Sequence, residues 1–248
     1  MNTLESKPKC QMIKQECSIC CTVLDVEWNG RDVRDLYGYN RTICSKECYD
    51  KEREIENKKH YDQHIGKIPL KYRDIECDNS TPKDYYSLNL FITGKSGTGK
   101  TVFAAGIAKE CIKNKKDFKW ISYSDFIMEL QSMFKKEGES PFDKAQEISN
   151  YEGVLIIDDL GAEKATDFVR QITYNIVNER EQRMLPLVIT SNFTLEEIAI
   201  QIDSRISSRI AGMCKTIKLT GRDRRIDEKD KQWKTGNPKF IAPKVRYP

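Results

Sequence analysis

The chain has 248 residues, 38% of them hydrophobic and 32% charged, with a mean hydropathy of −0.65. This suits one full folded domain with a small appendage and argues against a disordered chain. No apolar run approaches the ~20 residues of a bilayer crossing, and Met1 to Cys10 lacks the apolar core of a secretory signal, so a cytoplasmic location is expected. The net charge is +4, but 13 Lys/Arg against 4 Asp/Glu between Arg205 and Pro248 place the basic excess at the C-terminal end. Such a stretch suits polyanions, nucleic acid or nucleotide phosphate among them.

Six of the nine cysteines (Cys10, Cys17, Cys20, Cys21, Cys44 and Cys48) fall in the first 48 residues. In a reducing compartment cysteines read as metal ligands or buried small residues rather than disulfides. Cys17-Ser-Ile-Cys20 and Cys44-Ser-Lys-Glu-Cys48 form two close pairs, separated by enough chain for a small hairpin. Four thiolates around Zn²⁺ can fold a piece too small to build its own core. Cys21 is an alternative to Cys20. His60 and His64, four apart on a charged helix expected from Tyr49 to about His64, are alternative ligands, although exposed histidines on such a helix more often have no role. A linker through Gly66 and Pro69 closes an expected zinc-binding module over residues 1–66.

Beyond Asp84, short apolar runs alternate with longer amphipathic ones. Strands are expected at Leu88 to Thr93, Phe118 to Tyr123, Gly153 to Asp158, Leu187 to Ser191 and Thr216 to Leu219. Helices are expected at Lys100 to Lys113, Asp125 to Lys136, Thr166 to Arg183 and Leu195 to Ile202, the last opened by a capping box of Thr194 with Glu197. This alternation predicts an α/β fold, a parallel sheet covered on both faces. The domain is placed at 67–226, with an extended basic tail over 227–248.

The sharpest signal is Gly94-Lys95-Ser96-Gly97-Thr98-Gly99-Lys100-Thr101, a GxxxxGK[ST] loop between a strand and a helix. Its glycines let backbone N–H groups turn toward phosphate oxygens at a helix N-terminus. Lys100 would reach the β- and γ-phosphates, and Thr101 would ligate Mg²⁺. The apolar strand Val154-Leu-Ile-Ile ends in Asp158 and Asp159, acids at a strand's carboxyl end. Asp158 would hold Mg²⁺ through water, and Asp159 would orient or deprotonate the attacking water. Asn192, at the end of the neighbouring strand, would bridge the γ-phosphate and that water. Arg205 and Arg209 are four apart on one helix face, without an intrahelical salt-bridge pattern, and read as candidates for an arginine finger. Gly221-Arg-Asp223-Arg224-Arg225 offers an arginine that could sense phosphate within its own subunit.

Taken in order, these motifs resemble the AAA+ ATPases of the DnaC/DnaI type, the helicase loaders, and their relatives the IstB-type transposition helpers. The resemblance runs from about Ile68 to Arg225 and includes the lead-in Ile68-Pro-Leu-Lys-Tyr72-Arg. It implies a P-loop ATPase with a five-stranded parallel sheet, preceded by a small zinc-binding domain with four cysteine ligands. It assigns ATP phosphates to Gly94 through Thr101, Mg²⁺ to Thr101 and Asp158, water activation to Asp159 and the first sensor to Asn192. Arg209 would be the finger, with Arg205 its rival, and Arg225 the second sensor. Asp159 stands where a glutamate is usual, which suits slow hydrolysis used as a switch.

The resemblance further implies a DnaB-type replicative helicase as partner, engaged through the zinc module, with single-stranded DNA and self-assembly through ATP interfaces, in a bacterial cell or a phage's host. Single-stranded DNA would meet the segment Ser124 to Lys136, where Phe126, Phe134, Lys135 and Lys136 combine aromatic and basic groups. Phe126, Ile127, Leu130 and Phe134 also fit a helical core stripe, and the core reading is preferred. A transposition helper shares every ATPase motif and is separated only by the zinc module. A small-molecule P-loop kinase is the third reading, and it has no use for a finger arginine or an Asn sensor.

Overall fold

The computed structural model describes residues 11–17, 19–21, 23–28, 46–74, 88–135 and 138–223. The chain divides into two compact units, Met1–Asp62 and Gln63–Pro248. In the first, β1 (Gln11–Glu16) and β2 (Val23–Trp28) pair as an antiparallel hairpin, Gln11 opposite Trp28 and Glu16 opposite Val23. Helix α1 (Lys46–Ile65) follows.

The second unit is built on a five-stranded parallel sheet in the order β4-β5-β6-β3-β7. The strands are β3 (Leu90–Thr93), β4 (Phe118–Ser122), β5 (Val154–Leu160), β6 (Leu187–Ser191) and β7 (Lys215–Lys218). Between them run α2 (Lys100–Lys113), α3 (Tyr123–Met133), α4 (Pro141–Ser149), α5 (Asp167–Gln182), α6 (Leu195–Gln201) and α7 (Ser204–Met213). The central strands are largely apolar because both faces are covered, and the two-residue period sorts their side chains. Leu90, Ile92, Val154, Ile156, Val188 and Ile217 pack with Phe103, Ala104 and Ile107 of α2. Phe91, Leu155, Ile157, Leu187 and Ile189 face the other helices, through residues such as Phe126, Ile172, Ile198 and Ile206.

The expected strands and helices of this unit are present, with shifts at their ends. Tyr123 leaves the strand and opens α3, and β5 runs on through both acids to Leu160. The capping box of Thr194 and Glu197 starts α6. Helix α4 was not expected: Ser140 caps it by accepting from the Asp143 N–H, and Pro141 fills its first turn. At the sheet end opposite the acids, the fully buried Arg180 donates to the carbonyls of Ser149, Tyr151, Gly153 and Pro186, and burial lowers its pKa to about 10.

Candidate functional site

The loop from Gly94 to Thr101 leaves the buried end of β3 and enters α2 at once. Gly97 and Gly99 take left-handed backbones, φ +74° and +99°, which glycine adopts without the steric penalty of a Cβ. The Asp223 carboxylate packs close over Gly97, 1.8 Å from where a Cβ would stand, and would have to swing aside for a larger residue. The loop is held by Thr98, whose hydroxyl donates to the Lys95 carbonyl at 2.8 Å. Lys100 is buried, and its ammonium donates to the carbonyls of Gly94 at 2.8 Å and Lys95 at 3.0 Å and to Asn192 Oδ1 at 2.7 Å.

The acidic strand lies beside β6, as the sheet order requires, and the register between them breaks between Ile157 and Leu160. Asp159 sits there with φ +62°, a left-handed conformation that short polar side chains tolerate better than most. The irregularity brings both acids to partners at the end of β6. Asp158 accepts from the Thr190 hydroxyl at 2.7 Å, and Asp159 accepts from Asn192 Nδ2 at 2.8 Å. Burial raises the Asp158 carboxyl above the usual range, opposed by hydrogen bonds with Thr190 and Thr101. A hydrogen-bonded chain thus runs Lys100–Asn192–Asp159, and Thr101 and Thr190 meet on Asp158. The residues fit Mg²⁺ at Thr101 and Asp158, a hydroxyl and a carboxylate being hard oxygen donors.

Thr190 stands in the polar Thr190-Ser191-Asn192 end of β6, but nothing in the sequence assigned it a role of its own, because a β-branched threonine also suits a strand. Its hydroxyl accepts from the Asp159 N–H at 2.8 Å while donating to Asp158, so one side chain fixes the backbone of one acid and the carboxylate of the other. Thr190→Val keeps the shape and removes both bonds. It should lower stability by about 1–3 kcal/mol in urea unfolding, and an unchanged midpoint would show that the hydroxyl does not hold this corner.

Arg205 and Arg209 lie on α7, and their partners lie off the helix body. Arg205 pairs with Asp203, the α7 N-cap, through Nε at 3.1 Å to Oδ1 and Nη2 at 2.7 Å to Oδ2. Its side chain stays 68% exposed. Arg209 reaches across to α5, where Glu181 pairs with it and Tyr174 Oη accepts from its Nη2 at 3.0 Å. The Asp203 carboxyl is held below its usual range by Arg205. Arg225 lies outside the described residues, as do 224–248.

In the N-terminal unit, Cys17, Cys20 and Cys48 bring their sulfurs within 4.8 Å of one another. Tetrahedral thiolate coordination at ~2.3 Å per Zn–S bond needs sulfurs this close, so the cluster fits zinc. Cys44 lies outside the described residues. Cys21 is exposed and not in the cluster, and His64 lies 3.7 Å from Asp117 instead. Neither the alternative thiol nor a histidine joins the described group.

The helical stripe after β4 divides. Phe126, Ile127 and Leu130 are core, whereas Phe134 is 60% exposed and stacks edge-on to Phe168 with centroids 5.2 Å apart. Phe142 approaches the same ring at 6.1 Å, and Lys135 is exposed alongside Phe134. Lys136 lies outside the described residues.

A phosphate loop, an acidic strand end and a polar neighbouring strand on a parallel sheet of order β4-β5-β6-β3-β7 define a P-loop nucleotide-binding fold. Domain III of the Thermotoga maritima replication initiation protein DnaA shares that fold, with a TM-score of 0.51 at 18% identity over 65% of this chain and 72% of that one. Residues 84–231 match the family described as IstB-like ATP binding protein, and the chain belongs to it. It is similar to the replicative helicase loader DnaC of Escherichia coli (strain K12), 26% identical over 122 residues, 49% of each chain. It is also similar to the replicative helicase loader DnaI of Bacillus subtilis (strain 168), 26% identical over 149 residues, 55% of this chain and 47% of that one. The chain spans about half the length of the curated relatives it matches. Among the described residues no helix is long and apolar enough to cross a membrane.

Proposed function

We propose that this protein is an ATP-switched loader that places a hexameric DnaB-type replicative helicase on single-stranded DNA in the bacterial cytoplasm. The observation that carries the reading over a transposition helper is the convergence of Cys17, Cys20 and Cys48 on a chain of the IstB-like family. The ATPase motifs alone suit both roles, and a zinc module ahead of them resembles the DnaI type. In this reading residues 1–66 hold zinc and engage the helicase, 67–226 bind and hydrolyse ATP, and the basic 227–248 follow.

Within the ATPase unit, Gly94 through Thr101 bind the phosphates and Lys100 neutralises them. Thr101 and Asp158 hold Mg²⁺, which supplies positive charge at the β- and γ-phosphates when bound. Asp159 takes a proton from the attacking water, and Asn192, already hydrogen-bonded to both Lys100 and Asp159, reports whether a γ-phosphate is present. Arg209 or Arg205 supplies charge to a neighbour's γ-phosphate, and Arg225 senses phosphate within its own subunit. The short Asp159 carboxylate suits slow turnover, a timer more than a motor. Phe134 and Phe142 with Lys135 offer single-stranded DNA an aromatic surface beside a cation.

The test is retention of a purified hexameric replicative helicase by the immobilised zinc-loaded chain, with and without ATP. Helicase should be retained at near-stoichiometric levels and released onto single-stranded DNA when ATP is supplied. Absence of retention in both conditions removes the loader reading, and retention of a transposase in its place supports the helper.

A further inference from the structure

We propose that Tyr174 is a positioning residue for the finger arginine, holding the guanidinium that completes ATP hydrolysis in a neighbouring copy of the chain. The inference rests on the reading of Arg205 or Arg209 as that finger.

Tyr174 lies on α5, half-buried against the core, and both arginines converge on it from α7. The Arg205 guanidinium carbon is 4.9 Å from the ring centroid and that of Arg209 is 5.2 Å away. The Tyr174 hydroxyl also accepts from Arg209. Each arginine has a carboxylate as well, Asp203 for the first and Glu181 for the second. The two kinds of partner act differently on a finger. A carboxylate occupies the N–H groups at the guanidinium edge, the same groups a phosphate must take, so it competes with the task. An aromatic ring attracts the cation through its face and leaves the edge donors available. The ring can therefore keep the Arg205 guanidinium in place while its N–H groups pass from Asp203 to a phosphate oxygen, whereas Arg209 also gives an Nη2 donor to the Tyr174 hydroxyl. Without the ring, the stem of a long side chain is free to swing once its carboxylate lets go.

The exposures divide the labour. The Arg205 side chain is 68% exposed and Arg209 only 30%, so Arg205 is presented outward while Arg209, tied to both Glu181 and the Tyr174 hydroxyl, braces the ring.

The experiment compares the full-length protein with Tyr174→Ala and Tyr174→Phe, reading the affinity for a fluorescent ATP analogue and the steady-state hydrolysis rate separately. Tyr174→Ala should bind the analogue within about twofold of wild type and lose roughly 10- to 100-fold in kcat, the scale of a misplaced reacting group. Tyr174→Phe keeps the ring beneath Arg205 and loses only the hydroxyl's bond to Arg209, so it should stay within about threefold of wild type. Mixing Tyr174→Ala with Lys100→Ala should restore turnover, because the Lys100→Ala copies lend a correctly held arginine to intact phosphate loops. If Arg205→Ala, Arg209→Ala and the double variant all hydrolyse at the wild-type rate, the finger reading itself is wrong and the role of Tyr174 goes with it. If those variants lose activity but Tyr174→Ala does not, only the positioning role falls. Loss in Tyr174→Ala that mixing leaves unrestored, or that comes with a parallel loss of affinity, means the ring only supports α5 against α7, and overturns the proposal.

Discussion

Asp159→Asn should bind ATP as tightly as the wild-type chain and hydrolyse it about 100- to 10,000-fold more slowly, the range removed with a general base. The substitution is clean because of the backbone. Asp159 has φ +62°, and asparagine tolerates that conformation as well as aspartate does. Its amide oxygen can still accept from Asn192 Nδ2, the bond Asp159 makes now. What is lost is the capacity to take a proton. Asp159→Glu is the less informative variant, since the longer side chain sits less readily in a left-handed backbone and moves the carboxylate at the same time. Lys100→Ala should behave oppositely and abolish binding, because it removes the buried ammonium at the centre of the loop. Equilibrium titration with a fluorescent analogue beside a phosphate-release assay separates the two effects. Wild-type turnover in Asp159→Asn would take Asp159 out of the role of water activator.

Chelation should unfold the N-terminal unit and leave the ATPase unit standing. A unit of 62 residues is small for a core of its own, and among its described residues Cys17 and Cys48 are themselves buried groups. Structural zinc contributes about 10–16 kcal/mol at neutral pH, and in small modules that binding energy is folding energy. The full chain purified without chelator should carry one zinc per molecule. Adding a strong chelator should make the N-terminal unit sensitive to limited proteolysis while ATP binding persists. Cys48→Ser should lose the metal, and Cys21→Ser, outside the cluster, should keep it. A chain purified in this way with no zinc by metal analysis would refute the assignment.

The phosphate loop and the acidic strand were legible because each is a contiguous run whose spacing is dictated by its chemistry, glycines where the backbone must turn and acids where a buried strand ends. That β5 lies beside β6 was expected only on the usual strand order of such sheets, and the sheet has them adjacent. Helix α4 was not legible: it is nine residues long and buries only Pro141, Ala145, Ile148 and Ser149, too few positions to print a period. The end of β4 was misplaced at Tyr123 because an aromatic residue after Trp120 and Ile121 reads as strand, while its hydroxyl is in fact engaged by Thr173 on α5. The partners of Arg209 were hidden for a related reason, whereas Asp203 stands two residues before Arg205. Arg209 meets Glu181 and Tyr174 from 28 and 35 residues away, and no helical spacing encodes a meeting between two helices. Thr190 was visible at the polar end of its strand, but its role was not, because its partners Asp158 and Asp159 lie 32 and 31 residues away on another strand.

The bond between Lys100 and Asn192 has a consequence that follows from valence alone. An ammonium carries three protons, and the carbonyls of Gly94 and Lys95 and the amide of Asn192 already offer it three acceptors. A phosphate oxygen arriving at that nitrogen is one acceptor too many, so one of the three must yield or share. The two carbonyls belong to the loop whose shape receives the phosphate, and Asn192 is the acceptor that can turn aside. In the proposed mechanism, filling the loop would turn that one amide, and the Asp159 carboxylate hydrogen-bonded to its other side would lose or shift its partner. The sensor and the water activator, as proposed, would then share one amide.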